Sequence, residues 1–137
     1  MAAIRHTTTT RPDRLLRESL AIDGVASGLS GVALLALAGV LADPLGIPTG
    51  VLLGFGAFAL VYGAAVLLLG TRSAIDRRGA GAVVAANLVM GLGSGLVVLA
   101  GIGDPTTLGE VVLVALAVFG FAVAAVQYAG LSRGSRA

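Results

Sequence analysis

The sequence predicts an all-α polytopic membrane protein, a bundle of four transmembrane helices in one domain. Its residues are 57% hydrophobic and only 12% charged, with a mean hydropathy of +1.00, whereas soluble domains carry about 25% charged residues. The apolar residues fall into four runs, each long enough to supply the roughly 20 helical residues that cross a hydrocarbon core. Polar segments with proline and glycine separate the runs.

The predicted helices cover about residues 20–42, 51–70, 80–103 and 108–131. Pro48 and Pro105 precede the second and fourth runs, where proline suits the first turn of a helix because its missing amide hydrogen costs nothing. The helices form one transmembrane domain over residues 15–132. We expect a disordered cytoplasmic tail at residues 1–14, which lacks a signal-peptide pattern, and a cytoplasmic tail at residues 133–137.

All nine basic residues are arginine, and they lie outside the apolar runs. They precede the first helix, fill the second loop or follow the fourth helix, whereas the first and third loops have none. The positive-inside rule therefore predicts a multi-pass protein of the plasma (inner) membrane with both termini cytoplasmic. This distribution indicates the lipid bilayer as a partner and argues against nucleic acid. The arginines are Arg5, Arg11, Arg14, Arg17, Arg72, Arg77, Arg78, Arg133 and Arg136.

The missing residue types exclude several classes of chemistry. The chain has no cysteine, and its single histidine, His6, lies in the N-terminal tail. Thiol catalysis, disulfides, intramembrane haem ligation and histidine-ligated metal sites are thereby excluded. The apolar runs also have no lysine, so they offer no nucleophile–base pair of the kind that a hydrolase needs. We expect a protein that is not an enzyme and that uses no catalytic residue, cofactor or metal.

The two halves of the chain resemble each other. The segment that starts at Gly46 (GIPT) matches the one that starts at Gly103 (GDPT) at an offset of 57 residues, and Asp23 aligns with Asn87 at an offset of 64. Two hypotheses explain this similarity. One is a duplicated helical hairpin, with the halves related by an axis along the membrane normal. The other is chance matching in a chain dominated by glycine, alanine, valine and leucine.

Glycines recur at spacings that let helix backbones approach closely. We expect such helix-packing contacts at Gly24, Gly28 and Gly31 of the first helix and at Gly91 and Gly95 of the third. Lipid gives apolar helices no hydrophobic reason to associate, so close contacts must supply the attraction. The pattern predicts a tight bundle and leaves open whether the chain forms a homo-oligomer or joins a larger membrane-protein partner.

Four polar side chains in the apolar runs define a candidate intramembrane cluster: Asp23, Ser27, Asn87 and Gln127. Asp23 is six residues from Arg17, or about 9 Å along a helix, and the two amides are comparably close to other arginines. Ser27 lies one turn deeper than Asp23 on the same helix face. Ionisable groups inside membrane helices are costly and are often functional, which makes this cluster the candidate site.

Three interpretations of Asp23 remain open. It is an inner-edge residue near a helix N-terminus, where the helix dipole favours a negative charge, or a buried structural residue that hydrogen-bonds to Asn87 or Gln127. The third interpretation is a site of proton or cation coupling. For Asn87 and Gln127 the structural role is favoured, because amide hydrogen bonds between helices commonly hold membrane bundles together.

Several segments resemble small four-helix integral membrane proteins of high-GC actinobacteria. The resemblance rests on Asp23 followed by Gly28 and Gly31, on the GIP loop with its helix GFGAFALVYGAAV, on the helix that contains Asn87, and on the terminal VQYAGLSR. It covers about residues 14–134. The resemblance implies the same four-helix membrane fold, and it implies no catalytic residue.

The sequence most favours a non-enzymatic scaffold or accessory subunit of a membrane complex. The small chain, the lack of a soluble domain and the glycine-rich helix faces all indicate this role. The alternative is a small oligomeric proton-coupled transporter that uses Asp23. Only 4% of the residues are aromatic and none is tryptophan, which makes the bundle a poor cage for hydrophobic cations and disfavours the transporter.

Overall fold

The computed structural model describes residues 11–134, and these residues form four long helices without a strand. The helices are α1 (Arg11–Leu45), α2 (Thr49–Thr71), α3 (Arg77–Leu99) and α4 (Thr107–Gly134). Short connections make successive helices antiparallel. All four are long and apolar enough to cross a membrane. The predicted fold class, an all-α bundle of four membrane-spanning helices, is confirmed.

α1 begins at Arg11, nine residues before its predicted start. Its early turns are helical because Leu16 and Leu20, which are 2% and 0% exposed, pack in one buried cluster with side chains of α2 and α3. Residues 11–14, predicted as part of the N-terminal tail, therefore belong to α1, and residues 133–134 extend α4 in the same way. The rest of both predicted tails lies outside the described residues.

α3 ends at Leu99, four residues before its predicted end. Gly101 adopts a φ of 61°, and the amide of Ile102 donates to the carbonyl of Val97 at 3.0 Å. This is a Schellman C-cap, which favours glycine because a side chain is strained at positive φ. The predicted end of the third helix is wrong because the apolar residues continue past this turn, whereas the helical backbone conformation ends at it.

Three of the four sides of the bundle are closed. α1 packs against α2, α3 packs against α4, and α1 also contacts α4 and so joins the two hairpins. By contrast, the backbones of α2 and α3 come close at few positions, with side-chain contacts such as Leu69 against Gly79, and we call the opening between them the α2–α3 gap. A strict two-fold axis along the membrane normal would make the α1–α4 and α2–α3 contacts equal. The observed packing does not have that symmetry.

Two arginines mark the end of the bundle where α1 and α3 begin and α2 and α4 end, which we call the arginine end. Arg17 of α1 donates to the carbonyl oxygens of Gly70, Arg72 and Ser73 at 2.7, 2.6 and 2.8 Å. Arg77 of α3 donates to the carbonyl oxygen of residue 131 near the end of α4. Each first helix of a hairpin therefore caps the carboxyl end of the second, where carbonyl groups lack helical partners and a cation is favoured.

The opposite end joins α1 to α4. Gly46, with a φ of 65°, closes α1, and the amide of Thr106 then donates to the carbonyl of Leu45 at 3.1 Å. The hydroxyl of Thr106 accepts from the amide of Gly109 at 3.1 Å and so caps α4. A side chain at Gly109 would collide with the Leu45 carbonyl, so glycine permits this close approach.

The first hairpin has close backbone contacts at two levels. A side chain at Gly63 would place its Cβ 2.6 Å from the nitrogen of Gly28 and 2.7 Å from the carbonyl oxygen of Gly24. Further along, a Cβ at Gly31 would lie 2.8 Å from the carbonyl oxygen of Gly56. The three predicted glycines of α1 therefore lie against the backbone of α2, which explains why α1 and α2 associate along much of their length.

The second hairpin has such a contact at one level. A Cβ at Gly120 would lie 2.9 Å from the carbonyl oxygen of Asn87 and 3.5 Å from the nitrogen of Gly91. A Cβ at Gly95 would meet nothing within 4 Å. Gly91 is thus a packing position and Gly95 is not.

The glycine contacts also give the alignment of the two halves. Gly63 and Gly120 are 57 residues apart, whereas the residues they approach in α1 and α3 are 63 apart rather than 64. The structure therefore equates Asn87 with Gly24, and it equates Asp23 with Ala86. The hairpins share a packing pattern, but the carboxylate and the amide do not occupy equivalent positions.

Candidate functional site

A single carboxylate lies at the centre of the bundle and is hydrogen-bonded by all four helices. Asp23 of α1 is 0% exposed, as is Gln127 of α4, and Asn87 of α3 is 6% exposed. Ser27 of α1 and Tyr62 of α2 complete the group. We call these five residues the Asp23 cluster.

The two oxygens of Asp23 accept unequal numbers of hydrogen bonds. Oδ2 accepts from Tyr62 Oη at 3.0 Å, from Asn87 Nδ2 at 2.8 Å and from Gln127 Nε2 at 3.0 Å. Oδ1 accepts from Ser27 Oγ at 3.2 Å. Asn87 Nδ2 also donates to Gln127 Oε1 at 3.2 Å, so the two amides are paired with each other as well.

The cluster lies in the half of the bundle nearer the arginine end. Asp23 is twelve residues after the start of α1 and Asn87 is ten after the start of α3, which is about 18 and 15 Å at 1.5 Å per residue. Tyr62 and Gln127 are nine and seven residues before the ends of α2 and α4, or about 14 and 10 Å. These depths agree, because the helices are antiparallel and present their polar residues at one level.

No positive charge compensates the carboxylate directly. Its four hydrogen-bond donors are two hydroxyls and two amides, all neutral. An ionised carboxylate only accepts hydrogen bonds, and this donor set suits that form. Arg17, the arginine nearest to Asp23 in sequence, is instead bound to the carbonyls that end α2.

The structure brings together the four polar residues singled out from the sequence. Asp23 contacts Ser27, Asn87 and Gln127 directly, so it is a buried hydrogen-bonding residue rather than a solvated residue at the membrane edge. The sequence shows Tyr62 as a polar residue of the second apolar run, but the predicted cluster covered the first, third and fourth helices and left Tyr62 out. Tyr62 is ten residues from Arg72, a depth similar to that of Asn87, and this spacing is the signal that could have found it.

A cavity of about 220 Å³ lies beside the Asp23 cluster. Its polar lining residues are Ser27, Ser30, Tyr62, Asn87 and Ser94. Ser27, Tyr62 and Asn87, which we call its polar wall, each donate a hydrogen bond to Asp23 behind them. Its remaining surface is apolar and comes from all four helices. These further lining residues are Ala26, Phe55, Phe58, Ala59, Met90, Leu116, Phe119 and Gly120. We call this space the aromatic cavity.

A wider groove lies between the aromatic cavity and the arginine end. It measures about 560 Å³, and it shares Phe58 and Tyr62 with the aromatic cavity. Its other walls come from α2 and α3 and end near Arg72 and Asp76. The groove follows the α2–α3 gap and is open along one side.

The chemistry available at the site is acceptance and donation of hydrogen bonds. Within residues 11–134 no group of three or more His, Cys, Asp or Glu side chains lies together as a metal would require. Asp23 has no second carboxylate, histidine or cysteine beside it among its hydrogen-bond partners. Across the described residues, no buried side-chain nitrogen or oxygen lacks a hydrogen-bond partner. The cluster is therefore a satisfied polar network in an apolar bundle.

The fold and the site together define a multi-pass helical membrane protein with a carboxylate buried between its helices. Searches for similar proteins matched no family model, no curated protein and no solved structure. The resemblance to small actinobacterial membrane proteins therefore stays a prediction. Functional conclusions depend on the geometry of this chain alone.

Proposed function

We propose that the chain is a non-enzymatic scaffold or accessory subunit of a membrane complex. The observation that carries this proposal is that Asp23 accepts one hydrogen bond from each of the four helices. A carboxylate held in this way stabilises one arrangement of the four helices.

The glycine contacts support the same role. Backbone contacts at Gly63 and Gly120 fix how close the helices of each hairpin lie, and the Asp23 cluster then fixes one hairpin against the other. A bundle held at fixed distances presents a constant apolar surface to its surroundings. That property suits a subunit that positions a larger membrane partner, because helix association in lipid depends on shape and on hydrogen bonds.

We place the protein in the plasma membrane with both termini cytoplasmic. Support comes from the arginine end, where Arg17 donates to the carbonyl of Arg72 and Arg77 donates to the carbonyl of Leu131. Cytoplasmic loops carry an excess of arginine and lysine. Cysteine-accessibility labelling tests this placement: a single cysteine at Ser73 should be protected from an impermeant reagent in intact cells, and one at Thr107 should be labelled.

The accessory role is tested by purifying the tagged full-length chain from its native membrane after crosslinking. We expect a second membrane protein in fixed stoichiometry that remains bound through size-exclusion chromatography. Gly31→Leu, which separates α1 from α2, should lose this partner, whereas Gly95→Leu on the open face of α3 serves as the matched control and should keep it. Recovery of the chain only as a monomer or a homo-oligomer would contradict the proposal.

A second candidate function is an oligomeric proton-coupled transporter, and one observation favours it. The aromatic cavity reaches Asp23 through Ser27, Tyr62 and Asn87, so a bound solute would lie next to the residues that hold the carboxylate. In proteoliposomes this function requires uptake driven by a proton gradient that Asp23→Asn abolishes and Gly95→Ala retains. Equal uptake by folded wild-type protein and folded Asp23→Asn would exclude it.

A further inference from the structure

We infer that the aromatic cavity binds a small lipophilic ammonium compound that enters from the bilayer through the α2–α3 gap. Asp23 supplies the compensating negative charge from behind the polar wall of the cavity. This binding site does not depend on the proposed accessory role. A scaffold without a ligand and a ligand-binding protein without a partner are separately observable outcomes.

The electrostatic potential at the polar wall favours a cation. Asp23 is 0% exposed and receives hydrogen bonds from neutral groups. Burying an ionised carboxylate without a cation is expensive, and the apolar helices around it screen its field poorly. A cation in the adjacent cavity therefore gains from the carboxylate, and an anion there is repelled.

The hydroxyl groups of the polar wall are hydrogen-bond acceptors toward the cavity. Ser27 Oγ and Tyr62 Oη both donate their single hydrogen to Asp23, and a hydroxyl that has donated its hydrogen keeps lone pairs that accept. Because both residues line the cavity, the wall offers acceptors to whatever occupies it. A ligand with N–H donors and a positive charge fits this wall better than a ligand that carries only acceptors.

Most of the aromatic residues of the chain line the aromatic cavity. The chain has four phenylalanines and two tyrosines, and Phe55, Phe58, Tyr62 and Phe119 all line this one cavity. Phe58 and Tyr62 are stacked with centroids 5.8 Å apart. Ring faces attract cations by roughly 0.5–2 kcal/mol. The cavity is therefore richer in aromatic side chains than the low aromatic content of the whole chain indicates, because four of the six line it.

Size and access define the ligand further. A cavity of about 150 Å³ is known to hold benzene, so about 220 Å³ holds one aromatic ring with a short amine chain. The α2–α3 gap opens sideways between apolar helices, which suits a compound that partitions into lipid. These features together specify a single-ring, lipid-soluble amine in its protonated form.

Binding of radiolabelled 2-phenylethylammonium to the full chain in lipid nanodiscs tests the inference by equilibrium dialysis, with empty nanodiscs as the blank. Propylbenzene replaces the ammonium by a methyl group and is the matched neutral probe. We expect saturable binding of the ammonium compound that excess propylbenzene displaces poorly. Equal affinity for the two probes would overturn the inference, because the cavity would then recognise only the apolar ring.

Three variants locate the site. Asp23→Asn should weaken ammonium binding by about tenfold or more, equivalent to at least roughly 1.4 kcal/mol. Ala26→Leu should abolish it by filling the cavity, whereas Ala36→Leu, the same change at an exposed position of α1 outside the cavity, should have no effect. If Asp23→Asn does not fold, Ser27→Ala replaces it, with an expected loss of about threefold. Unchanged binding in folded Ala26→Leu would overturn the inference.

Discussion

The two helical hairpins are built on one pattern but pack differently. In the first hairpin α1 and α2 approach at two levels, through Gly63 against Gly28 and through Gly31 against Gly56. In the second hairpin α3 and α4 approach closely at one level, where a Cβ at Gly120 would lie 2.9 Å from the carbonyl oxygen of Asn87 and a Cβ at Gly91 would lie 3.2 Å from that of Ala117. A similar distribution of glycine in the sequence therefore gives unequal contact, because each glycine needs a small residue opposite it.

The difference extends to the polar groups. The first hairpin supplies the one carboxylate, Asp23, and the two hydroxyls that bind it, whereas the second supplies two amides. Removing Asp23 breaks all four hydrogen bonds to its carboxylate at once, whereas removing one donor leaves Asp23 with the other three. We therefore expect the stability of the bundle to depend more on the carboxylate of the first hairpin than on either amide of the second.

The largest expected effect is the loss of the shared acceptor. Asp23→Ala removes the acceptor that Tyr62 Oη, Asn87 Nδ2 and Gln127 Nε2 share, and a buried group that loses its partner costs roughly 1–3 kcal/mol. Because the amides can pair with each other, we expect a loss of about 3 kcal/mol. Reversible unfolding in mixed detergent micelles, followed by circular dichroism, measures this free energy.

Asn87→Ala is the matched change in the second hairpin. It removes one donor from Asp23 and one from Gln127, and hydrogen bonds between membrane helices average about 0.6 kcal/mol with a maximum near 1.7. We expect a loss of about 1 kcal/mol. If the two variants lose equal stability, the asymmetry between a single acceptor and several donors is not the basis of the cluster.

Sequence patterns predicted the membrane fold because length and apolar composition decide whether a helix can cross a bilayer. They also indicated which polar residues share one level, since depth follows from counting residues from the arginines. The register of Asp23 with Asn87 was not predictable in the same way. An offset of 64 aligns them in sequence, yet the backbone contact at Gly120 shows that Asn87 corresponds to Gly24.

The aromatic cavity could not be predicted because it depends on a contact that is missing. Nothing in the composition of α2 and α3 indicates that these helices stay apart while α1 and α4 meet. Phe55, Phe58 and Phe119 are ordinary apolar residues in the sequence, and only the helix arrangement places them around one space. Helix rotation and pairing are tertiary properties, and residue counts along one helix do not contain them.

Gly31 and Gly95 are 64 residues apart, the offset that aligns Asp23 with Asn87 in the sequence. A Cβ at Gly31 would lie 2.6 Å from the nitrogen of Leu60 and 2.8 Å from the carbonyl oxygen of Gly56, whereas a Cβ at Gly95 would meet nothing within 4 Å. Gly31→Ala must push α1 away from α2, and overpacking typically costs 1–3 kcal/mol, so we expect a loss of about 2 kcal/mol.

Gly95→Ala should leave stability unchanged or raise it by up to about 1 kcal/mol, because alanine is the better helix former and has room. The same micelle unfolding assay compares the two variants directly. A similar loss in both would show that the hairpins pack alike and that the open position at Gly95 is filled in the folded protein.

The smallest expected effect is at the arginine end, where the hairpins differ in the number of capped carbonyls. Arg17 donates hydrogen bonds to three carbonyl oxygens at the end of α2, whereas Arg77 donates to one, the carbonyl oxygen of Leu131 in α4. Arg17→Gln should therefore cost about 1 kcal/mol and Arg77→Gln less than half of that, since a cation stabilises the end of a helix by roughly 0.3–1 kcal/mol.

Arg17→Lys separates charge from geometry at this position. Lysine keeps the positive charge near the end of α2 but cannot place a planar group between the carbonyls of Gly70, Arg72 and Ser73. We expect it to recover less than half of the stability that Arg17→Gln loses, and we expect faster amide exchange in the last turn of α2. Full recovery by lysine would mean that the helix dipole alone is responsible, and the two hairpins would then be equivalent at this end.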